Sequence, residues 1–123
     1  MLIDFSELKL DDLSPIYQQI VRYIKIQIIT KNANCGDELP SRRVLSATLE
    51  VNPNTIQKAY RVMEEEGFLV SYAGSKSLLE FDTSLVEQFR HELPLSEACR
   101  YITEVKRMGL DMNEAKELIT RNW

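Results

Sequence analysis

The sequence is poor in cysteine, glycine, proline and long apolar runs, and each shortage excludes a class of protein. Cys35 and Cys99 lie far apart and have no CxxC partner, so we expect reduced thiols rather than a disulfide framework or a zinc site. Four glycines and four prolines are too few for a loop-rich scaffold. No apolar run approaches the roughly 18 residues that span a bilayer. The acidic residues 1–13 are unlike a signal peptide, so we expect a cytoplasmic protein without membrane contact.

Signatures of catalysis are scarce as well. The single histidine, His91, has no nucleophile or base near it in the sequence, and no glycine-rich loop could hold a phosphate group. The acidic residues gather at Glu64–Glu66 and in both tails, which is typical of solvated faces. We therefore expect no enzymatic activity, no cofactor and no metal ion.

The chain combines an average globular composition with an uneven charge distribution. Apolar residues make up 44% and charged residues 28% of the 123 residues, which predicts one domain or one small domain with an appendage. The net charge is −4, but residues 41–61 hold four basic residues against Glu50 alone, a local charge of +3. Because phosphate binding depends on local positive charge, this segment is a candidate nucleic-acid interface.

A helix-start signal follows the N-terminal arm. Residues 1–13 predict an extended arm that could include a short strand. Ser14 then predicts an N-cap, and Pro15 predicts the first helical position. The apolar stripe beyond them indicates a helix that runs to about Lys31.

Two further helices joined by a tight turn come next. Residues 36–39 predict a short strand, after which Ser41 can cap a second helix. Asn52 and Pro53 repeat the signal of a cap followed by proline, and predict a third helix over residues 53–66. Two short helices joined by a tight turn are typical of the helix-turn-helix motif.

A β-hairpin follows the third helix. Gly67 predicts the end of that helix, and strand-forming residues at 68–72 and 77–81 flank a turn at 73–76. A hairpin directly after a helix-turn-helix makes a winged helix. The predicted fold is therefore mainly α with a small β-hairpin wing, with the DNA-binding domain at residues 1–81.

Residues 82–123 predict a short helical dimerisation segment. Pro94 predicts a break after a first helix, and Gly109 predicts the end of a second. Asp111 and Glu114 predict a capping box at the start of the last helix. An apolar seam with a/d spacing and two apolar residues of the last helix predict the interface of a two-fold dimer: Leu95, Ala98, Ile102, Val105, Leu118 and Ile119.

The third helix carries the candidate DNA contacts. In a helix-turn-helix, the second helix enters the major groove by its N-terminal end, where the backbone N–H groups favour phosphate. The side chains there are polar or basic, and such groups pair with base edges or phosphates. With the start of the preceding helix and the hairpin, the predicted DNA-binding set is Ser41, Arg42, Arg43, Asn52, Asn54, Thr55, Gln57, Lys58, Gly74 and Lys76.

Other interpretations of these residues stay open at this point. Polar side chains are ordinary on a solvated helix, and Asn52 is partly explained as a cap. A winged helix that docks a protein is the alternative function, although the basic and amide side chains favour DNA. A steep loss of affinity with salt would distinguish the two. The chain could also be a fragment whose effector-binding domain lies elsewhere.

These motifs resemble the GntR-type winged-helix regulators, specifically the YtrA subfamily. The resemblance covers residues 14–72 and is densest in the sequence Val-Asn-Pro-Asn-Thr-Ile-Gln-Lys-Ala-Tyr at 51–60. It implies a homodimeric transcription repressor, and a dimer of this kind would bind a near-palindromic DNA operator. It also implies a short C-terminal segment that dimerises. The family positions that contact DNA match Arg43, Asn52, Asn54, Thr55 and Gln57, with Lys58 as an addition.

Departures from the family pattern affect the turn and the wing. Glu50 stands where the family usually has glycine, and a non-glycine residue at positive φ costs on the order of 1 kcal/mol, which favours a differently shaped turn. The wing keeps Gly74 but has one cation, Lys76, where two are common, so contact between wing and DNA stays open. Cys35 replaces a frequent proline, which should loosen its loop slightly.

Regulation by a small molecule also stays open. Ligand pockets typically need about 300 Å³ or more enclosed by packed walls. Residues 82–123 look too short to enclose such a pocket. Either a small molecule binds beside the winged helix or across the dimer axis, or protein concentration alone controls DNA binding.

Overall fold

The helices and strands follow most of the capping and turn signals. The computed structural model describes residues 1–74 and 76–123, and this part of the chain holds five helices and three strands. They are α1 (Ile16–Ile29), β1 (Glu38–Leu39), α2 (Arg42–Leu49), α3 (Pro53–Glu65), β2 (Leu69–Tyr72), β3 (Lys76–Leu79), α4 (Thr83–Arg107) and α5 (Met112–Asn122). The chain divides into two compact units, Met1–Glu87 and Gln88–Trp123, so the first extends beyond the boundary predicted at residue 81.

Helix α3 is at the centre of the first unit. It packs against α1, α2 and β2. One face of α3 is fully buried and consists of Ile56, Ala59, Tyr60 and Met63. The apolar stripe of α1 supplies four more buried residues: Ile20, Val21, Ile24 and Ile28. Because one face of α3 forms the core, only its opposite face is free for a partner.

The hairpin is part of a three-stranded antiparallel sheet in the order β1-β3-β2. Tyr72 pairs with Lys76 across the two hairpin strands, and Glu38 of β1 pairs with Leu78. The predicted hairpin and the short strand before α2 are confirmed. The predicted turn at 73–76 is one residue too long, since Lys76 already belongs to β3. Ser75 of that turn lies outside the described residues.

The N-terminal arm is anchored to the first unit. Ile3 and Phe5 are buried, and the Phe5 ring stacks on Tyr23 with 5.4 Å between ring centroids. Leu2 forms one parallel bridge with Glu38, and the Ile3 N–H donates to the Glu38 carbonyl at 2.8 Å. The strand considered for the arm is therefore reduced to a single bridge.

The prediction that Ser14 caps α1 is wrong. The helix begins at Ile16, Pro15 is the N-cap residue, and no side chain caps this end. Gln19 folds back instead: its Nε2 donates to the carbonyls of Ser14 at 2.7 Å and Asp11 at 2.9 Å, and its Oε1 accepts from the Asp11 N–H at 3.0 Å. Because Pro15 rather than Ser14 stands at the N-cap position, the Ser14 hydroxyl does not cap the helix.

Helix α1 ends two residues before the predicted limit. Its last residue is Ile29, and Thr30 is the C-cap. Lys31 follows in the left-handed region with φ 65°. A residue in this conformation cannot continue a right-handed helix, which explains the earlier end.

The prediction that Pro94 breaks the chain into two helices is also wrong. Helix α4 runs through Pro94 without interruption. Proline removes one backbone donor and crowds the carbonyl four residues earlier. Pro94 and Arg90 are both exposed, so water can satisfy the carbonyl that loses its partner.

The predicted ends around Gly109 are confirmed. Gly109 has φ 86°, and its N–H donates to the Lys106 carbonyl at 3.0 Å. The N–H of Leu110 donates to the Val105 carbonyl at 3.0 Å, which completes a Schellman motif. In the capping box, the Asp111 carboxylate accepts from the Glu114 N–H at 2.8 Å, and the Glu114 carboxylate accepts from the Asp111 N–H at 3.0 Å.

The second unit leaves most of its apolar residues exposed. Tyr101 of α4 joins the two helices, since its hydroxyl donates to the Ala115 carbonyl at 2.9 Å. Val105, a member of the predicted seam, is buried within the chain at 8% exposure. The other predicted interface residues are exposed: Leu95, Ala98, Ile102, Leu118 and Ile119. In the described part of the chain, no helix is long and apolar enough to cross a bilayer.

Candidate nucleic-acid interface

The turn between α2 and α3 is held by Ser46. The Ser46 carbonyl accepts the N–H of Glu50, and also that of Val51 at 3.1 Å. The Ser46 hydroxyl donates to the Val51 carbonyl at 2.6 Å. Glu50 has φ 55° and ψ 48°, so it takes the left-handed conformation that a glycine would take. The expected change in turn shape does not occur, and the turn retains a strained residue.

The N-terminal end of α3 is built as predicted. Asn52 is the N-cap, and its Oδ1 accepts from the Asn54 N–H at 2.8 Å. Pro53 occupies the start of the helix, where a missing N–H has no cost. The first turn of α3 contains no acidic residue. The positive end of the helix dipole therefore meets no negative side chain in that turn, which suits an anionic partner.

The exposed face of α3 is a polar and basic stripe. Asn54, Gln57, Lys58 and Arg61 follow the i, i+3, i+4, i+7 spacing that places side chains on one helix face, and all four are exposed. Thr55, between this stripe and the core, is half-buried. The stripe offers amide groups for base edges and cations for phosphates.

Arg42 and Arg43 have different surroundings although they are neighbours in α2. Arg43 is exposed and forms no ion pair or hydrogen bond with any residue that the structure describes. Arg42 is half-buried, with its Nη2 2.9 Å from the Glu64 Oε1. Ser41 caps their helix, since its Oγ accepts from the Val44 N–H at 3.2 Å, as predicted.

Residues 16–76, which contain this turn, stripe and most of the wing, match the family model for bacterial regulatory proteins of the gntR family. The chain is also 31% identical over 103 residues to YhcF of Bacillus subtilis, an uncharacterized HTH-type transcriptional regulator. That match covers 84% of this chain and 85% of YhcF. The chain belongs to the GntR family.

Further relatives agree with this assignment. A GntR family transcriptional regulator from Listeria monocytogenes has a solved structure that matches with a TM-score of 0.79 at 33% identity, over 93% of this chain and 100% of that one. The HTH-type transcriptional repressor YtrA of Bacillus subtilis is 37% identical over 76 residues, covering 60% of this chain and 58% of YtrA. The predicted family, the winged-helix fold and the function as a DNA-binding transcription regulator rather than an enzyme are confirmed.

The wing of this GntR protein carries one cation near its tip. Lys76 is exposed, and its Nζ lies 3.6 Å from the Glu38 Oε1. Gly74 has φ 85° in the hairpin turn. The exposed Tyr72 donates its hydroxyl to Glu80 at 3.1 Å, and this hydrogen bond raises the pKa of the Tyr72 phenol. The described wing therefore carries Lys76, already paired with a carboxylate, and a tyrosine whose hydroxyl is bonded to Glu80.

Lys58 has a neighbour that sequence reasoning missed. Its ammonium lies 4.2 Å from the centroid of the Tyr17 ring, a cation–π contact between α3 and α1. The two residues are 41 positions apart, so helical spacing contains no signal for this pair.

Arg61 and Ser46 were also missed, but the sequence held signals for both. Arg61 is one turn beyond Gln57 and Lys58 on the same face, and its Nε lies 3.9 Å from Glu65. Ser46 precedes the predicted break by four residues, a spacing at which serine can bond to turn carbonyls. In the described residues, no three His, Cys, Asp or Glu side chains are close enough to hold a metal ion.

Proposed function

We propose that this protein is a transcriptional repressor that binds a near-palindromic DNA operator as a homodimer, with α3 of each copy in a major groove. The observation that carries the proposal is the two-faced α3. One face is fully buried in the core, while the other presents amides and cations with no acid in the first turn. The proposal includes a cytoplasmic location, since a repressor acts where the DNA is.

Base recognition is assigned to the amide side chains of the stripe. Asn54 and Gln57 are exposed on the N-terminal half of α3, and an amide can form a bidentate pair with adenine. Arg43, exposed at the start of α2, would bind phosphate and fix the orientation of the protein. The remaining proposed contacts are Ser41, Asn52, Thr55, Lys58, Gly74 and Lys76.

Dimerisation is supported by the exposed apolar residues of the second unit. Leu95 is 50% exposed, and Ile102 and Ile119 are each 47% exposed. A second copy would remove these side chains from water, so we assign the interface to this surface. A two-fold dimer would read two half-sites with centres about 10 or 20 base pairs apart.

A relative of this chain supports the assignment of repression rather than activation. The relative YtrA is a transcriptional repressor by name, and 60% of this chain resembles it. A dimer bound across a promoter would block polymerase by occupying its site. Release by a small molecule and release by falling protein concentration are distinguished by adding candidate metabolites to the bound complex.

The decisive experiment locates the operator and then removes single amides. Footprinting on DNA upstream of the protein's own gene should show two protected half-sites. Asn54→Ala and Gln57→Ala should each lose about 1–3 kcal/mol of discrimination at one base pair. Asn113→Ala and Gln88→Ala are matched controls because these residues are exposed on α5 and α4. Unchanged sequence preference in both stripe variants would refute the groove assignment.

Salt dependence separates DNA binding from docking to a protein. Each phosphate contact releases counterions, so log affinity should fall linearly with log salt at a slope of about −0.9 per phosphate. Several contacts per copy predict a steep slope in the parent protein. A flat salt response with retained affinity would favour an interface without phosphates.

A further inference from the structure

We propose that Arg42 is a positioning residue that ties the wing to the recognition helix α3, rather than a DNA contact. This inference rests on the proposed function, because positioning matters only if α3 and the wing act on DNA together. The sequence gives Arg42 and Arg43 the same charge and adjacent places at the start of α2. Their different contacts and exposure indicate different roles for the two side chains.

One carboxylate oxygen joins three elements. Glu64 Oε1, on α3, accepts from Arg42 Nη2 of α2 at 2.9 Å. The same oxygen accepts from the Ser71 hydroxyl of β2 at 2.7 Å. Arg42 Nη2 also lies 3.4 Å from Ser71 Oγ. Arg42, Glu64 and Ser71 thus form a hydrogen-bonded triangle that joins α2, α3 and β2.

The triangle extends into the second wing strand. Ser71 Oγ lies 3.2 Å from Ser77 Oγ, and these residues are paired across β2 and β3. Ser77 is buried at 1% exposure, so its hydroxyl is shielded from water. Both strands of the wing are therefore connected to Arg42 by hydrogen bonds.

Tyr60 fixes the guanidinium from a second direction. The guanidinium carbon of Arg42 lies 5.1 Å from the centroid of the Tyr60 ring. Tyr60 is fully buried, and its hydroxyl donates to the carbonyl of Pro40 at 2.5 Å. Burial raises the pKa of the Tyr60 phenol, so the hydroxyl keeps its proton and remains a donor.

Arg42 also differs from Arg43 in the direction that it faces. Successive residues of an α-helix point about 100° apart, so Arg42 and Arg43 leave the helix in different directions. The Nε of Arg42 is buried and has no acceptor among the described residues, so this edge of the guanidinium is turned inward. Arg43 is exposed and is the member of the pair that solvent or a phosphate can reach.

The planar guanidinium suits this task better than an ammonium would. It presents several N–H groups in a fixed fork, so it can contact Glu64, Ser71 and the Tyr60 ring at once and fix the angle between them. A lysine at this position would keep the charge but not the geometry. The wing has only four residues in each strand, so an added constraint at Ser71 affects where its tip lies.

The salt slope tests whether Arg42 contacts phosphate. We expect Arg42→Gln to weaken operator binding several-fold without changing the slope of log affinity against log salt. Arg43→Gln is the matched control, and it should reduce the magnitude of that slope by about 0.9 for each copy bound. Arg42→Lys should lose as much affinity as Arg42→Gln. An equal loss of slope in the Arg42 and Arg43 variants, or full affinity in Arg42→Lys, would overturn the proposal.

Amide hydrogen exchange of the full-length protein without DNA tests the tie itself. Arg42→Gln and Glu64→Gln should each speed exchange in β2 and β3 by about tenfold, while α5 exchanges as in the parent. The double variant should show less than the two single effects combined, because both changes act on the same hydrogen-bonded triangle of Arg42, Glu64 and Ser71. Unchanged exchange in the wing would overturn the proposal. If the parent fails to bind any operator, the proposed function fails, and this measurement alone decides whether Arg42 holds the wing.

Discussion

The two compact units differ in how many of their apolar residues are buried. In the described part of the chain, every buried apolar residue except Phe89 and Val105 lies in Met1–Glu87. In Gln88–Trp123, Leu95 and Ile102 remain about half exposed. A unit with its own core can fold alone, whereas a unit with exposed apolar side chains gains stability from a partner.

Local structure is not the origin of this difference. The capping box at Asp111 is as complete as the cap at Asn52, and Schellman motifs at Gly67 and Gly109 end helices in the respective units. Helix ends depend on residues within a few positions of each other, and both units have them. The units differ in what their helices pack against.

The largest expected effect contrasts a core residue with a seam residue. Ile24→Ala should lower the free energy of unfolding by about 2–5 kcal/mol, because Ile24 is fully buried and its loss leaves a cavity. Leu95→Ala should change it by less than about 1 kcal/mol at low protein concentration, since Leu95 is 50% exposed. Denaturation at several concentrations measures both, and equal losses in dilute protein would contradict the comparison.

A charge placed in the seam should separate the copies. Ile102→Glu would bring a carboxylate into the proposed interface, so we expect a monomer in sedimentation velocity. The operator affinity should then fall by about 100-fold or more, because the second half-site is no longer tethered to the first. Thr103→Glu adds the same charge at a neighbouring exposed position and should remain dimeric. A dimeric Ile102→Glu protein would show that the interface lies elsewhere.

Removing the strained residue from the turn between α2 and α3 should change both the stability and the DNA affinity of the protein. Glu50→Gly removes a left-handed non-glycine residue and should raise the free energy of unfolding by about 0.5–1 kcal/mol. It also removes a negative charge just before α3, so operator affinity should rise a few-fold.

Two controls separate strain from charge at this position. Glu50→Gln keeps the strain and removes the charge, so it should raise affinity without raising stability. Lys31→Gly relieves a similar backbone conformation, φ 65°, at the end of α1 and should raise stability without raising affinity. Thermal denaturation measures the stability of the three variants, and DNA titration measures their affinity. If stability and affinity changed together in all three variants, strain and charge would not be separate causes.

An effect on stability as small as that of Glu50→Gly is expected from the contact between Lys58 and Tyr17. An exposed cation–π pair contributes about 0.5–1 kcal/mol, so Lys58→Met and Tyr17→Leu should each destabilise the protein by that amount. The double variant should lose little more free energy of unfolding than either single variant, because both changes remove the same contact. Tyr17→Phe keeps the ring and should behave like the parent. Additive losses in chemical denaturation would show that the two side chains act independently.

The accuracy of the sequence predictions depended on the range of the interactions involved. Ser41, Asn52 and the Asp111–Glu114 box were predicted correctly because each cap contacts backbone groups two or three residues away. Ser14 was predicted wrongly because α1 begins one residue later than the cap signal places it, with Pro15 at the N-cap position. The predicted helix break at Pro94 was wrong because this residue is exposed, and α4 continues through it despite the lost hydrogen bond.

The sequence by itself determined the order of elements in the winged helix, the polar face of α3 and the family. Hydrophobic spacing and caps are properties of neighbouring residues, and they are readable before the chain folds. Only the tertiary structure decided which of two adjacent arginines is free. Arg42 is held by Glu64 and Tyr60, which approach it only when α2 packs on α3. Contacts between residues distant in the chain depend on packing geometry, and no local pattern encodes them.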